Sequence, residues 1–180
     1  IHLRFEHMLE DMATMAENPF YNRFYAYDMN EAQGYQYTYC AYFWDAYYTY
    51  IKSCTDIIST IDPATANVEA LNYLGIAHAY RAMCYLDLAR LFEAKPNKYT
   101  DVSGVLGLTV PLITEATTES SATNNPRLPR EEMYAFILSE LEKAEAYIDP
   151  QSKAYAKPSL GAVYGLYARA YIEMGASGDE

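Results

Sequence analysis

Residues 71–92 read LNYLGIAHAYRAMCYLDLARLF, and residues 157–175 read KPSLGAVYGLYARAYIEMG. Laid over one another at an offset of 86 residues, Leu74, Gly75, Ala82 and Tyr85 coincide with Leu160, Gly161, Ala168 and Tyr171. The same offset carries Tyr48, Ile51 and Ser53 onto Tyr134, Ile137 and Ser139 in the segments that precede them. Both preceding segments break at Asp-Pro, at Asp62-Pro63 and Asp149-Pro150, the second one residue out of register. One offset shared by two consecutive segments is the mark of a duplicated unit rather than of chance likeness between amphipathic helices.

Helical periodicity sets the units. A first amphipathic helix is expected over 2–17, with Phe5, Met8, Leu9, Met12 and Met15 at helical spacing and Asn18-Pro19 as its stop. Residues 18–37 hold Pro19, Gly34 and scattered polar side chains, and are expected to be irregular. A helix from about 40 to 61 and another over 67–92 form one hairpin, with Leu71, Leu74, Ala77, Cys84, Leu88 and Leu91 as the inner stripe of the second. Residues 94–129 carry four prolines and a Thr/Ser/Glu-rich run at 114–123, and are expected as a long loop insertion. A second hairpin then runs over 130–175. Its first helix is introduced by Pro129, Glu131 and Glu132, with Met133, Ile137, Leu141, Ala144 and Ile148 as its buried stripe. Its second helix begins at Pro158-Ser159 and closes at Gly175. The expected fold class is all-α: two TPR-like hairpins, 40–92 and 130–175, within a single domain spanning 1–180. A Leu-Gly step removes the side chain that would hold two helices apart, and the later Ala and Tyr supply a hole and a knob. In this reading each glycine-notched helix presses against its hairpin mate.

Composition excludes several classes. With 51% hydrophobic residues among 180, the chain can bury a sizeable core. A net charge of −11, with 13 Lys and Arg spread along the chain, argues against binding nucleic acid or anionic membrane surfaces. No run approaches the ~18 apolar residues of a membrane helix. Cys40, Cys54 and Cys84 match no CxxC or metal spacing; they read as buried thiols, with a Cys54–Cys84 bridge as the alternative. His2 and His7 are five apart and His78 stands alone, so no metal is expected, and nothing points to a cofactor. No nucleophile elbow, phosphate loop or Cys–His pair stands out, and the acidic pairs Glu10-Asp11 and Glu131-Glu132 read as exposed helix positions.

The ordered motifs resemble the SusD/RagB family of outer-membrane nutrient-binding lipoproteins. Trp44, Tyr48 and Ile51 fit its W-x3-Y-x2-I helix, and Arg81-Ala82, Tyr85 and Leu91-Phe92 fit the next. Val110-Pro111-Leu112 and Pro126-Arg127 flank the family's Thr-rich loop. Glu132-Met133-Tyr134, Ile137, Glu140-Leu141 and Ala144 match the following helix; Ala162, Leu166, Ala168-Arg169, Tyr171-Ile172 and Gly175 match the last. Three positions depart from the pattern: Thr55 for an Asn, Ile76 for an acidic residue, and Glu93 for the Gly after Leu-Phe. The resemblance implies a lipid-anchored protein on the outer face of a Bacteroidetes-type outer membrane, its anchoring Cys not part of this sequence. Such a protein captures oligosaccharide or another nutrient for a SusC-like TonB-dependent transporter. Family members are longer, so the chain is read as a partial one, trimmed at Ile1 and stopping within the pattern at Gly178-Asp179-Glu180.

Twenty tyrosines are the unusual feature of the composition. Several cluster with polar partners just ahead of the Trp44 helix. A flat ring beside an amide or carboxylate suits a sugar, which offers an apolar C–H face and a rim of hydroxyls. Packing of an irregular segment onto the helices accounts for the same residues, and for Trp44, Tyr47 and Tyr48 core packing is the reading adopted. Family loops ahead of the Trp helix approach ligand, which selects Tyr25, Tyr27, Asp28, Asn30, Tyr35 and Tyr37 as the candidate ligand-binding residues. The expected function is non-catalytic glycan binding; the alternatives are a TPR-like protein–protein scaffold and a helical carbohydrate-active enzyme.

Overall fold

The computed structural model describes residues 38–98, 101–151 and 157–175, the side chains from Ala41 onward. The chain divides into two compact units, 1–45 and 46–180. The helix expected at 2–17, the aromatic segment at 18–37 and the side chain of Cys40 lie outside the described residues.

Among the described residues seven elements follow in order: α1 (Thr38–Thr60), α2 (Val68–Phe92), β1 (Leu108–Pro111), α3 (Glu119–Thr123), β2 (Arg127–Pro129), α4 (Arg130–Tyr147) and α5 (Leu160–Gly175). The fold is mostly helical, as the periodicity requires. Among the described residues no helix is long and apolar enough to cross a membrane.

Local chemistry sets the helix ends. Past α1, Pro63 has no N–H to extend a helix, and Asp62 Oδ1 accepts from the Ala64 N–H at 2.9 Å. Past α4 the same device recurs: Asp149 Oδ1 accepts from the Gln151 N–H at 2.9 Å. The duplicated Asp-Pro steps are therefore duplicated turns. Asn67 caps α2 by accepting from the Ala70 N–H at 2.8 Å.

Long-range bonds fix how the helices run. Tyr47 and Thr55 of α1 meet Asp87 and Arg81 of α2, so this pair is antiparallel. Glu145 meets Tyr164, and the Arg130 guanidinium reaches the Glu173 carbonyl, making α4 and α5 antiparallel as well. Between the hairpins α2 lies antiparallel to α4, with Gly75 against Ile148 and Tyr85 edge-on to Phe136. The α4 stripe of Met133, Ile137, Leu141, Ala144 and Ile148 is buried as its spacing predicts. On α2, Leu74, Ala77, Cys84 and Leu88 are buried, but Leu91 is exposed. That helix is covered on more than one side, so Ile76, His78 and Arg81 are buried too.

Two further expectations need correction. The insertion is not wholly irregular: β1 and β2 pair antiparallel, Leu108 opposite Pro129 and Pro111 opposite Arg127, with an irregularity between. Both prolines sit at strand ends, where a missing N–H removes no ladder bond that matters. The glycine notch, moreover, does not join hairpin mates. A Cβ on Gly75 would lie 2.7 Å from the Ile148 nitrogen and 3.0 Å from the Tyr147 carbonyl carbon, so α2 is notched for the end of α4 in the next hairpin. At Gly161 a Cβ would meet only Ser159 Oγ, at 3.6 Å. The repeat thus marks the joint between successive hairpins, with no helix seated on the second notch among the described residues.

Gly75→Ala is expected to destabilise the chain by about 2 kcal/mol, because two of the three colliding atoms, the Ile148 nitrogen and the Tyr147 carbonyl carbon, are backbone and cannot rotate away. At Gly165, where a Cβ would meet nothing, Ala should instead stabilise by up to about 1 kcal/mol. Denaturant melts of the two variants check both signs.

Candidate functional site

At the centre of the α2–α4 joint lies a carboxylate with no solvent exposure. Glu140 Oε2 accepts from Arg81 Nε at 2.7 Å and sits 2.8 Å from His78 Nδ1, while Oε1 accepts from Lys143 Nζ at 3.0 Å. An ionised carboxylate can only accept, which places the proton of His78 on Nδ1. His78 and Arg81 stand three apart on α2, so both reach the same point on the facing helix. Burial alone would push the Glu140 carboxyl up; the hydrogen bonds from His78 and Arg81 and the charge of Arg81 outweigh it and bring it down to about 2. A carboxylate held ionised, buried and fully bonded cannot trade protons with a substrate. The cluster is a lock between hairpins.

The same arginine reaches outward. Arg81 Nη1 donates to Glu115 at 2.7 Å and to Thr55 at 3.2 Å, so α1, α2, α4 and the Thr-rich loop share one guanidinium. Tyr85, fully buried, donates its hydroxyl to the Ile113 carbonyl at 3.0 Å and accepts from the Ile113 N–H at 2.7 Å. Tyr48 donates to the Pro111 carbonyl at 2.6 Å. Burial drives all three tyrosines of this interface, Tyr47, Tyr48 and Tyr85, well above the usual phenol range, so each stays a neutral donor. Core packing of Tyr47 and Tyr48 is thus joined to a second task, since their half-buried rings carry hydroxyls that bond Asp87 and the insertion. At the foot of the insertion, Arg127 donates to the carbonyls of Phe92 and Thr109, both at 3.0 Å.

Two of the three positions that depart from the resembled pattern acquire roles here. Thr55 accepts from Arg81. Glu93, standing where a Gly is usual, keeps an extended backbone, closes α2 through its N–H to the Ala89 carbonyl, and pairs with Arg130. Cys54 and Cys84 are both buried and free, so the bridge does not form; burial pushes the Cys84 thiol up to about 12 and it acts as a small apolar group. Among the described residues no group of His, Cys, Asp and Glu is placed to hold a metal.

The six residues expected to bind ligand, Tyr25, Tyr27, Asp28, Asn30, Tyr35 and Tyr37, all lie outside the described residues. A cleft of about 450 Å³ between α2 and α5 is lined by Ala79, Tyr80, Met83, Ala162 and Gly165, with Lys157 and Arg169 also at its wall. Arg169 is engaged by Asp87 at 2.6 Å, and Lys157 lies 4.4 Å above the Tyr73 ring. Sequence reasoning passed over the Glu140 cluster. Its signal is a charged side chain set between the buried Ile137, Leu141 and Ala144, opposite a His and an Arg three apart.

Paired helical hairpins joined through a buried ionic lock, with a tethered insertion between them, define a TPR-like helical scaffold. The chain belongs to the SusD-like family described as "starch-binding associating with outer membrane", whose profile matches residues 2–172. It is similar to a SusD-like carbohydrate-binding protein from Bacteroides vulgatus, at 27% identity and a TM-score of 0.59 over 71% of this chain and 26% of that one. It is also similar to a putative sugar-binding protein of the same organism, at 26% identity and a TM-score of 0.58 over 74% and 29% respectively. A SusD superfamily protein from Bacteroides thetaiotaomicron, 22% identical, shares the fold at a TM-score of 0.60 over 73% of this chain and 28% of its own. This chain therefore spans less than a third of the length of these solved relatives. No curated protein matches it.

Because the Glu140 carboxyl is depressed in the fold, it binds fewer protons folded than unfolded. Its contribution is fully present above the ordinary carboxylate pKa and is lost as pH falls from about 4.5 towards about 2. Thermal melts should show the wild-type chain losing stability across that window. Glu140→Ala should be destabilised by about 3 kcal/mol at neutral pH, with a flatter acid limb.

Proposed function

We propose that this chain is part of a non-catalytic glycan-binding protein that captures oligosaccharide for a SusC-like TonB-dependent transporter. It would work on the outer face of the outer membrane, held there by a lipid anchor. The observation that carries the reading is the family match, which runs through the tyrosine-rich segment and both hairpins. Two solved relatives described as carbohydrate-binding and sugar-binding support the ligand class. The same family match and the names of these two relatives support binding without turnover.

Tyr25, Tyr27, Tyr35 and Tyr37 are the proposed stacking groups, with Asp28 and Asn30 supplying acceptors and donors for sugar hydroxyls. The clasped insertion stiffens the helical frame.

Binding of the full-length polypeptide to soluble oligosaccharides, malto-oligosaccharides among them, should weaken about tenfold for each stacking tyrosine replaced by Ala. Circular dichroism should be unchanged. Folded variants that bind as the wild type does would remove the site, and release of reducing sugar would remove the non-catalytic reading.

A further inference from the structure

Two helical glycines in this chain have opposite surroundings. At Gly75 the backbone of α4 leaves no room for a Cβ, whereas at Gly165, within α5, a Cβ would meet nothing. Glycine inside a helix carries an entropic cost relative to Ala, and among the described residues no neighbour of Gly165 requires it. Gly165 instead lines the cleft of about 450 Å³ between α2 and α5.

Both helices run antiparallel to α4, so they lie parallel to one another, and the 86-residue offset lays Ala79, Tyr80 and Met83 onto Gly165, Leu166 and Arg169. All six line the cleft, so its two walls are two copies of one helix face. Ala79, Ala162 and Gly165 keep it open and apolar, and Tyr80, 37% exposed, joins them.

Charge sets this cleft against the rest of the molecule. Its lining holds two cations, Lys157 and Arg169, and no Asp or Glu, in a chain whose net charge is −11. The two cations stand apart. Lys157 Nζ lies 4.4 Å from the centre of the Tyr73 ring, and Arg169 Nη2 donates to Asp87 Oδ1 at 2.6 Å. Tyr73 and Asp87 are about four helical turns apart on α2, about 20 Å along its axis. Asp87 offsets part of the Arg169 charge and, held by the Tyr47 hydroxyl at 3.1 Å, fixes the guanidinium in place. A guanidinium has five N–H donors, so one bond to Asp87 does not exhaust it.

We propose that this cleft binds an acidic oligosaccharide, with one uronate carboxylate at the Arg169 end, another at the Lys157 end, and the sugar rings between them lying on Ala79, Ala162 and Gly165. The planar fork of arginine suits a carboxylate. The C–H faces of the rings suit the apolar lining and Tyr80, and their hydroxyls stay in water because the cleft is open. No single small anion reaches both cations. An extended acidic peptide is long enough, but its backbone N–H and C=O groups need partners that two internally bonded helices do not offer. The proposal rests on the glycan reading and adds to it a second surface, built from other residues than 25–37, and an anionic class of ligand.

The test titrates the full-length polypeptide with trigalacturonate, with its methyl ester, which keeps the skeleton and removes the charge, and with tetraglutamate. Trigalacturonate should bind saturably, and the ester about tenfold more weakly. Lys157→Gln should weaken trigalacturonate about tenfold and leave the ester unchanged. Gly165→Leu, which fills the cleft with a better helix former, should abolish binding while the Tm holds. No binding of trigalacturonate, equal binding of acid and ester, indifference to both substitutions, or equally tight binding of tetraglutamate overturns the proposal. Malto-oligosaccharide binding that persists when trigalacturonate fails removes this cleft alone; failure of every oligosaccharide removes the glycan reading with it.

Discussion

The structure depends on a charge that water never reaches. Glu140 is desolvated completely, which would be prohibitive for a lone carboxylate, and is tolerable because two cations and an imidazole donate to its two oxygens. The consequence is specificity. Apolar stripes on α2 and α4 would tolerate sliding by a turn, but a buried ion pair is satisfied in one register alone. Arg81 extends the same constraint to α1 through Thr55 and to the insertion through Glu115. One guanidinium therefore sets the relative position of four parts of the chain.

Around that point the remaining contacts are graded from rigid to permissive. Gly75 lets the α2 and α4 backbones close at one end of the joint, and Tyr85 against Phe136 fills it nearer the other. Glu93 with Arg130 finishes the far end. Each pair belongs to both hairpins and ties α2 to α4.

The helices were legible because their signals are local. The Asp-Pro breaks and the α4 stripe sit where spacing and turn chemistry put them. The repeat was legible as well, yet its mechanism was misplaced: a glycine-bearing stripe of small residues shows that a helix comes close without saying which one. Burial of Leu91 was over-read, since periodicity reports a face and not its length. The ribbon in the insertion was hidden by prolines that matter only in strand interiors. Glu140, His78 and Arg81 look like surface charges until two helices are laid together, which is a tertiary fact. The tyrosine-rich segment before α1 announces itself by composition alone, and composition does not distinguish a stacking platform from packing.

The way the insertion is gathered has a consequence for its length. Ala94 bridges Leu106 and Leu108 pairs with Pro129, so the excursion from α2 to α4 is drawn into two closed loops with Gly107 between them. Gly107 sits at φ 75° and its carbonyl accepts the Arg130 N–H at 2.8 Å, a conformation that suits a residue without a side chain. Lengthening either loop at its tip then changes closure entropy by only about 0.6 kcal/mol per doubling. An insertion in the 108–129 loop would therefore leave the alignment of the helices below it in place.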